Sequence, residues 1–297
     1  MPPPLTIIEA PSILGLRPTG VEDLPRSLRD AQLHQRLRVR DVVRVAALPY
    51  DDRRDPATGF LNPGSLAEYT VRLADEVGRV LDRGERPLVL GGDCSILLGN
   101  LLALARRGRY GLLFCDGHAD FYQPDANTNG EAASSELALA TGRGPATLTR
   151  FDGHCPLIRD EDVVAVGMRD QDEARSYRSQ PLPAGMCVHD VQAIRALTPI
   201  GAIEDALAHL GARGVEGVWI HLDVDVLDDD VMPAVDYRLA GGLSWHELET
   251  MLGRAWRDGA VGMDVTIFNP RLDRDGSLAR ALTDMLTRVV TNASNPG

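Results

Sequence analysis

The stretch Tyr110-Gly111-Leu112-Leu113-Phe114-Cys115-Asp116-Gly117-His118-Ala119-Asp120 decides the fold, together with its counterpart Val218-Trp219-Ile220-His221-Leu222-Asp223-Val224-Asp225. Each is an apolar run that ends in carboxylates. A continuous apolar run of this length, bounded by polar residues, reads as a strand buried on both faces of a parallel sheet. Side chains alternate along a strand, so residues i and i+2 share a face. Asp116, His118 and Asp120 are therefore expected to converge if the chain stays extended, and so are Asp223 and Asp225. Five ligand-type side chains, rich in oxygen and with a single imidazole, suit a hard or borderline divalent ion such as Mn²⁺.

Strand and helix patterns alternate outward from these two runs. Residues 5–8 and 87–90 read as strands, and the second runs into Gly91-Gly92-Asp93-Cys94-Ser95. Ser65-Leu66-Ala67-Glu68 has the capping-box pattern of a helix start, continued at helical spacing by Leu73, Val77, Val80 and Leu81. Helices are expected over 96–107, 170–179, 203–210 and 278–290, and strands over 163–166 and 260–267. Ser244-Trp245-His246-Glu247 is a second capping box. This alternation predicts one α/β domain over residues 1–297, a three-layer α/β/α arrangement with a mostly parallel sheet. Ligands of such sheets bind beyond the C-terminal ends of the strands. The segments 91–95, 116–120 and 223–225 all fall at such ends. The polar segment Gln123 to Gly130 is expected to loop over the site.

Composition narrows the function. The chain has 297 residues, 44% of them hydrophobic, and a net charge of −12. The acidic balance argues against a nucleic-acid partner and is compatible with a cationic substrate. No apolar stretch has the length of a membrane span, and Met1-Pro2-Pro3-Pro4 lacks the regions of a signal peptide. The four cysteines, Cys94, Cys115, Cys155 and Cys187, form no CxxC pair. A reduced cytoplasmic protein is the expectation.

In order and spacing these motifs resemble those of the arginase and agmatinase (ureohydrolase) family. That family carries Gly-Gly-Asp-His-Ser, Asp-Ala-His-x-Asp and Ser-x-Asp-x-Asp segments. Here they read Gly91-Gly92-Asp93-Cys94-Ser95, Asp116-Gly117-His118-Ala119-Asp120 and His221-Leu222-Asp223-Val224-Asp225. Gly167-Met168-Arg169-Asp170-Gln171-Asp172, Gly241-Gly242-Leu243-Ser244, Gly262-Met263-Asp264 and Asn269-Pro270 extend the likeness over nearly the whole chain. The resemblance implies an arginase-like fold, a site for two Mn²⁺ ions, and hydrolysis of a linear C–N bond in a guanidine-like or amidine-like small molecule by a metal-bound hydroxide. It also implies that Asp116 and Asp223 bridge the ions, that Asp120 and residue 94 complete one, and that His118 and Asp225 complete the other. Asp120 would be catalytic as well, shuttling a proton to the leaving amine. Asp172 matches a position that contacts the substrate amino group. A homo-oligomer, trimer or hexamer, is implied too.

Departures from the pattern matter as much. Cys94 stands where the first His ligand is expected, a softer donor better matched to Zn²⁺ or Fe²⁺. As a buried residue it is equally readable as inert, and less readily as a nucleophile. Ile267 replaces a Glu expected to hold the guanidinium. Ala133 replaces the catalytic His, and Tyr122 an Asn. His221 takes the place of a Ser and reads as a substrate contact or as a core histidine. The Cys-for-His change, with His before the third motif, looks in part like the N-hydroxyarginine amidinohydrolase of cycloserine biosynthesis. An arginase acting on arginine itself is not expected. The alternative is a catalytically degenerate member that binds metal or ligand without turnover. A metal-dependent deacetylase would need paired His residues before an Asp-His-His type motif, which the sequence lacks.

Overall fold

The computed structural model describes residues 3–292. Eight strands form one sheet: β1 Leu5–Glu9, β2 Asp41–Arg44, β3 Arg86–Leu90, β4 Gly111–Cys115, β5 Val163–Val166, β6 Cys187–His189, β7 Val218–Asp223 and β8 Ala260–Thr266. Their order is β2-β1-β3-β8-β7-β4-β5-β6, and every neighbouring pair is parallel. The strand reached last in the chain, β8, is thus inserted between β3 and β7. The expectation of a three-layer α/β/α domain with a parallel sheet is met.

Alternation along the strands builds the two outer layers. Leu113, Cys115, Ile220, Leu222, Met263 and Val265 face helices Val191–Leu197, Pro199–Ala212, Trp245–Arg257 and Ser277–Asn292. Leu112, Phe114, Trp219, Ile8 and Val89 face helices Pro63–Asp82, Leu97–Ala105 and Glu136–Ala140. Burial on both sides explains why β4 and β7 read as unbroken apolar runs. No helix of the described residues is long and apolar enough to cross a membrane.

Two local expectations are corrected. Ser65 does not cap a helix: that helix starts two residues earlier, at Pro63, behind Asn62 at φ 49°. Proline suits the first turn, where its missing N–H has no partner to lose. The helix expected over 170–179 is confined to Gln171–Ser176. The second capping box holds: Glu247 N donates to Ser244 Oγ at 3.2 Å, and Ser244 N to Glu247 Oε2 at 2.8 Å.

The four strands at the centre, β3, β8, β7 and β4, are adjacent, and their C-terminal ends open on one cavity. The turn after β3 is the tightest of these ends. A Cβ on Gly92 would lie 1.8 Å from the Ser12 carbonyl oxygen, a backbone atom that cannot step aside. Gly92→Ala is accordingly expected to destabilise the chain by about 3 kcal/mol, read as a lower urea midpoint at unchanged m-value.

Candidate metal centre

The end of β3 delivers Cys94. Asp93, fully buried, fixes the turn by accepting from Ser95 N at 2.9 Å, Ser12 Oγ at 3.1 Å and Gly15 N at 3.2 Å. Cys94 Sγ then lies 2.8 Å from Asp223 Oδ2 and 3.1 Å from Thr266 Oγ1. Burial, reinforced by Asp223, pushes the thiol well above its ordinary pKa, and the S–H donates to Asp223.

The end of β4 delivers the second motif, although not by strand alternation. β4 stops at Cys115 and β7 at Asp223. Asp116 Oδ1 accepts from His118 N at 2.6 Å, which folds the chain back into a turn. Asp120 sits at φ 43°, a left-handed conformation that Asp tolerates better than most residues. After β7 the chain enters a 3₁₀ turn, Val224–Val226, with Asp223 Oδ1 accepting from Asp225 N at 2.8 Å. Asp225 Oδ1 in turn accepts from Gly117 N at 3.0 Å, which joins the two turns. Convergence therefore comes from carboxylates that cap their own turns, and the extended-chain explanation is corrected. His118 Nδ1 meets Asp225 Oδ2 at 2.9 Å and Asp116 Oδ1 at 3.7 Å.

Arg169 anchors the Asp225 turn from behind. Its guanidinium donates to the carbonyls of Asp225 at 2.7 Å, Leu239 at 2.9 Å, Leu227 at 3.0 Å and Val226 at 3.3 Å. A cation spent on carbonyl oxygens holds the loop and leaves the Asp225 carboxylate free to face inward.

Like charges crowd this site. Burial, and then neighbouring carboxylates, raise the pKa values of Asp116, Asp120, Asp223 and Glu136. Burial works against both Asp225 and His118, but their mutual attraction prevails: Asp225 is lowered and His118 well raised. Asp116 Oδ2 is buried without a hydrogen-bond partner among the described residues, and both Glu136 oxygens are buried with no neighbour that could pair them except, through a shared proton, the Asp120 carboxylate. Unpaired buried oxygens of this kind fit a cation. Two ligand clusters lie within ion-binding reach, Asp116 with His118 and Asp225, and Cys94 with Asp116, Glu136 and His221. The residues present thus fit a divalent metal centre.

Cys94, His118, Asp120, Asp223 and Asp225 line a cavity of about 180 Å³, and Asp116 is buried behind them. Ala133 and Ile267 also line it, as do Ala126, Asn127, Thr128 and Asn129 of the loop expected to cover the site. Neither of the two proposed substrate contacts, Asp172 and His221, lines it. Asp172 is almost fully exposed and pairs with Arg175, because its short helix turns it outward. The next residue, Glu173, lines the cavity with Tyr122, Tyr177 and Tyr237. His221 is fully buried, stacked on Phe114 with ring centroids 4.9 Å apart. Glu131, Glu136, Glu173 and Tyr237 carried no signal in the sequence beyond their polarity. Glu136 in particular reads as an ordinary acidic residue at the head of an apolar helix.

A family model described as the Arginase family matches residues 4–291. The arginase of Bacillus caldovelox is 31% identical over 253 residues, covering 82% of this chain and 83% of that one. The arginase of Staphylococcus aureus (strain MRSA252) is 29% identical over 93% of each chain. The native structure of the Bacillus caldovelox arginase at pH 5.6 superposes with a TM-score of 0.84 at 27% identity, covering 97% of this chain and 98% of that one.

The carboxylate shifts give a stability dependence with a definite sign. A carboxyl whose pKa is higher folded than unfolded holds its proton longer in the native state, so its contribution to stability falls as pH rises. Protein stripped of metal by chelation is therefore expected to melt at a higher temperature at pH 5 than at pH 8, through Asp116, Asp120, Glu136 and Asp223. Added divalent metal should raise the melting temperature most at pH 8. Thermal melts across this range, with and without metal, provide the check.

Proposed function

Because this chain belongs to the arginase family, whose activity is metal-dependent hydrolysis of guanidino C–N bonds, we propose that its cavity cleaves one linear C–N bond of a guanidine-like or amidine-like small molecule. The observation that carries this reading is the convergence of Cys94, Asp116, His118, Asp120, Asp223 and Asp225 at the floor of a cavity sized for a small molecule. Asp116 and Asp223 would bridge two ions, Cys94 and Asp120 would complete one, and His118 and Asp225 the other. Mn²⁺ suits the oxygen-rich position, and Zn²⁺ or Fe²⁺ suits the position beside the thiol. Ions held there supply the Lewis acidity that makes a water molecule a competent nucleophile near neutral pH.

The chain's own residues then divide the work. Asp120, buried and opening on the cavity, holds the proton of the attacking water on a carboxylate oxygen and passes it to the departing nitrogen. Ala133 offers no alternative acid. Ile267 gives the substrate head an apolar wall where an anion would hold a full guanidinium cation. That wall favours a less basic head such as an N-hydroxyguanidine over arginine. At the mouth, Glu173 and Tyr177 suit an ammonium group at the far end of the substrate. None of the cavity-lining residues is Arg or Lys.

Incubation of metal-loaded protein with arginine, N-hydroxyarginine and agmatine, followed for urea, hydroxyurea and ammonia, tests the reading. The N-hydroxyguanidine is expected to be the best of the three. Metal-bound protein that releases none of these products would favour ligand binding without turnover. Asp120→Asn is expected to lower the rate by about 10²-fold or more. Asp116→Ala should empty both metal positions and Asp225→Ala mainly one, as elemental analysis will show.

A further inference from the structure

His221 and Glu136 are not explained by the roles assigned so far. His221 is fully buried. Its Nδ1 contacts Asp264 Oδ2 at 2.6 Å. The other oxygen of Asp264 accepts from Trp219 Nε1 and, at 3.0 Å, from Asn100 Nδ2. That network, and the Phe114 ring stacked on the imidazole, fix the ring plane and leave Nε2 as the free nitrogen. Nε2 is buried with no hydrogen-bond partner among the described residues, and so is Oδ2 of Asp116; both oxygens of Glu136 are buried with no N–H or O–H donor, and only a proton shared with the Asp120 carboxylate could pair them. Ligand atoms of these three residues and Sγ of Cys94 lie within 4.8 Å of one another. Four buried polar side chains thus converge on one point, and three of them carry unpartnered atoms.

An imidazole that gives one nitrogen to a carboxylate and leaves the other bare has the arrangement of a metal-ligating histidine. A carboxylate with both oxygens buried and unpaired costs several kcal/mol unless a cation or a proton joins it. We propose that Glu136 and His221 are metal ligands that make, with Cys94 and Asp116, a four-coordinate site at the inner end of the cavity, so that for this ion they take the places given to Asp120 and Asp223 by the family pattern. The inference rests on reading the cavity as a metal centre. It goes further in placing one ion among residues outside the Asp/His motifs. One thiolate, one imidazole and two carboxylates make a borderline-soft set, which selects Zn²⁺ or Fe²⁺ over Mn²⁺. The other cluster, Asp116 with His118 and Asp225, keeps the oxygen-rich character that suits Mn²⁺.

The rival is a network without metal, in which a proton shared between Glu136 and Asp120, with others on His221 and Asp116, neutralises the cluster. Chelated full-length protein titrated with Co²⁺ separates the two. The wild type is expected to bind two ions, one giving a thiolate-to-cobalt charge-transfer band and the intense visible absorption of four-coordinate cobalt. Glu136→Gln, close to isosteric, and His221→Asn should each weaken that ion at least about 10-fold and reduce the visible absorption. The second ion should be retained. A crystal soaked in Zn²⁺ should show anomalous density about 2.3 Å from Cys94 Sγ and about 2.0 Å from a His221 nitrogen. Unchanged affinity and spectrum in both variants would overturn the proposal, and so would zinc density confined to Asp116, Asp120 and Asp223. Because ion binding is read without turnover, failure to hydrolyse any guanidine would remove the proposed reaction and leave this inference standing.

Discussion

Mutual repulsion among buried carboxylates is the constraint on which the rest of this structure depends. Asp116, Asp120, Glu136, Asp223 and Asp225 meet where water is largely excluded, and His118 is the one basic residue among those that line the cavity. Such a cluster survives only in a scaffold that leaves it no way to relax. The adjacent ends of β3, β8, β7 and β4 provide that scaffold. Arg169 ties down the Asp225 turn through carbonyl oxygens, and Asp93 ties down the Cys94 turn through N–H groups. The stability of the fold is thereby spent on holding like charges together, the condition under which divalent cations bind tightly.

The sheet and the clustering of the candidate ligands were legible in the sequence for a physical reason. Strands buried on both faces must be continuously apolar, so the polar residues that follow Cys115 and Leu222 stand out as the points where the chain leaves the core. What alternation could not supply was the geometry beyond those points. The carboxylates converge because Asp116 and Asp223 each bend their own backbone, a three-residue effect that a period-2 pattern does not encode. Glu136 was illegible for a different reason. An acidic residue opening a helix is common on any surface, and only the tertiary fold reveals that this one is buried against Asp116 and Asp120. The outward turn of Asp172 was hidden likewise, since it depends on where a six-residue helix lies.

Ile267 shows how the departures from the family pattern connect. It sits at φ 69°, a conformation that costs a β-branched residue about 1–3 kcal/mol. Its N–H donates to the Gly92 carbonyl at 2.9 Å, which links the end of β8 to the turn that carries Cys94. An apolar side chain is thus held in a strained backbone at the wall of a polar cavity. The hydrogen bond to Gly92 and the end of β8 hold this backbone, and relative to the resembled pattern an apolar side chain stands on it. Cys94 and His221 follow the same logic: relative to the resembled pattern, an imidazole is lost at one position and gained at the other.

The insertion of β8 between β3 and β7 bears on how the molecule comes into being. Without residues 260–266 the sheet is two fragments, β2-β1-β3 and β7-β4-β5-β6. Cys94 belongs to one, and Asp116, Asp120, Asp223 and Asp225 belong to the other. Pairings such as Leu88 with Met263 join segments far apart in sequence, contacts of the kind that carry the largest loop-closure cost in folding. A nascent chain emerging from the ribosome therefore carries its candidate ligands in two unjoined halves, and cannot bring Cys94 to the carboxylates until β8 has been made and has docked.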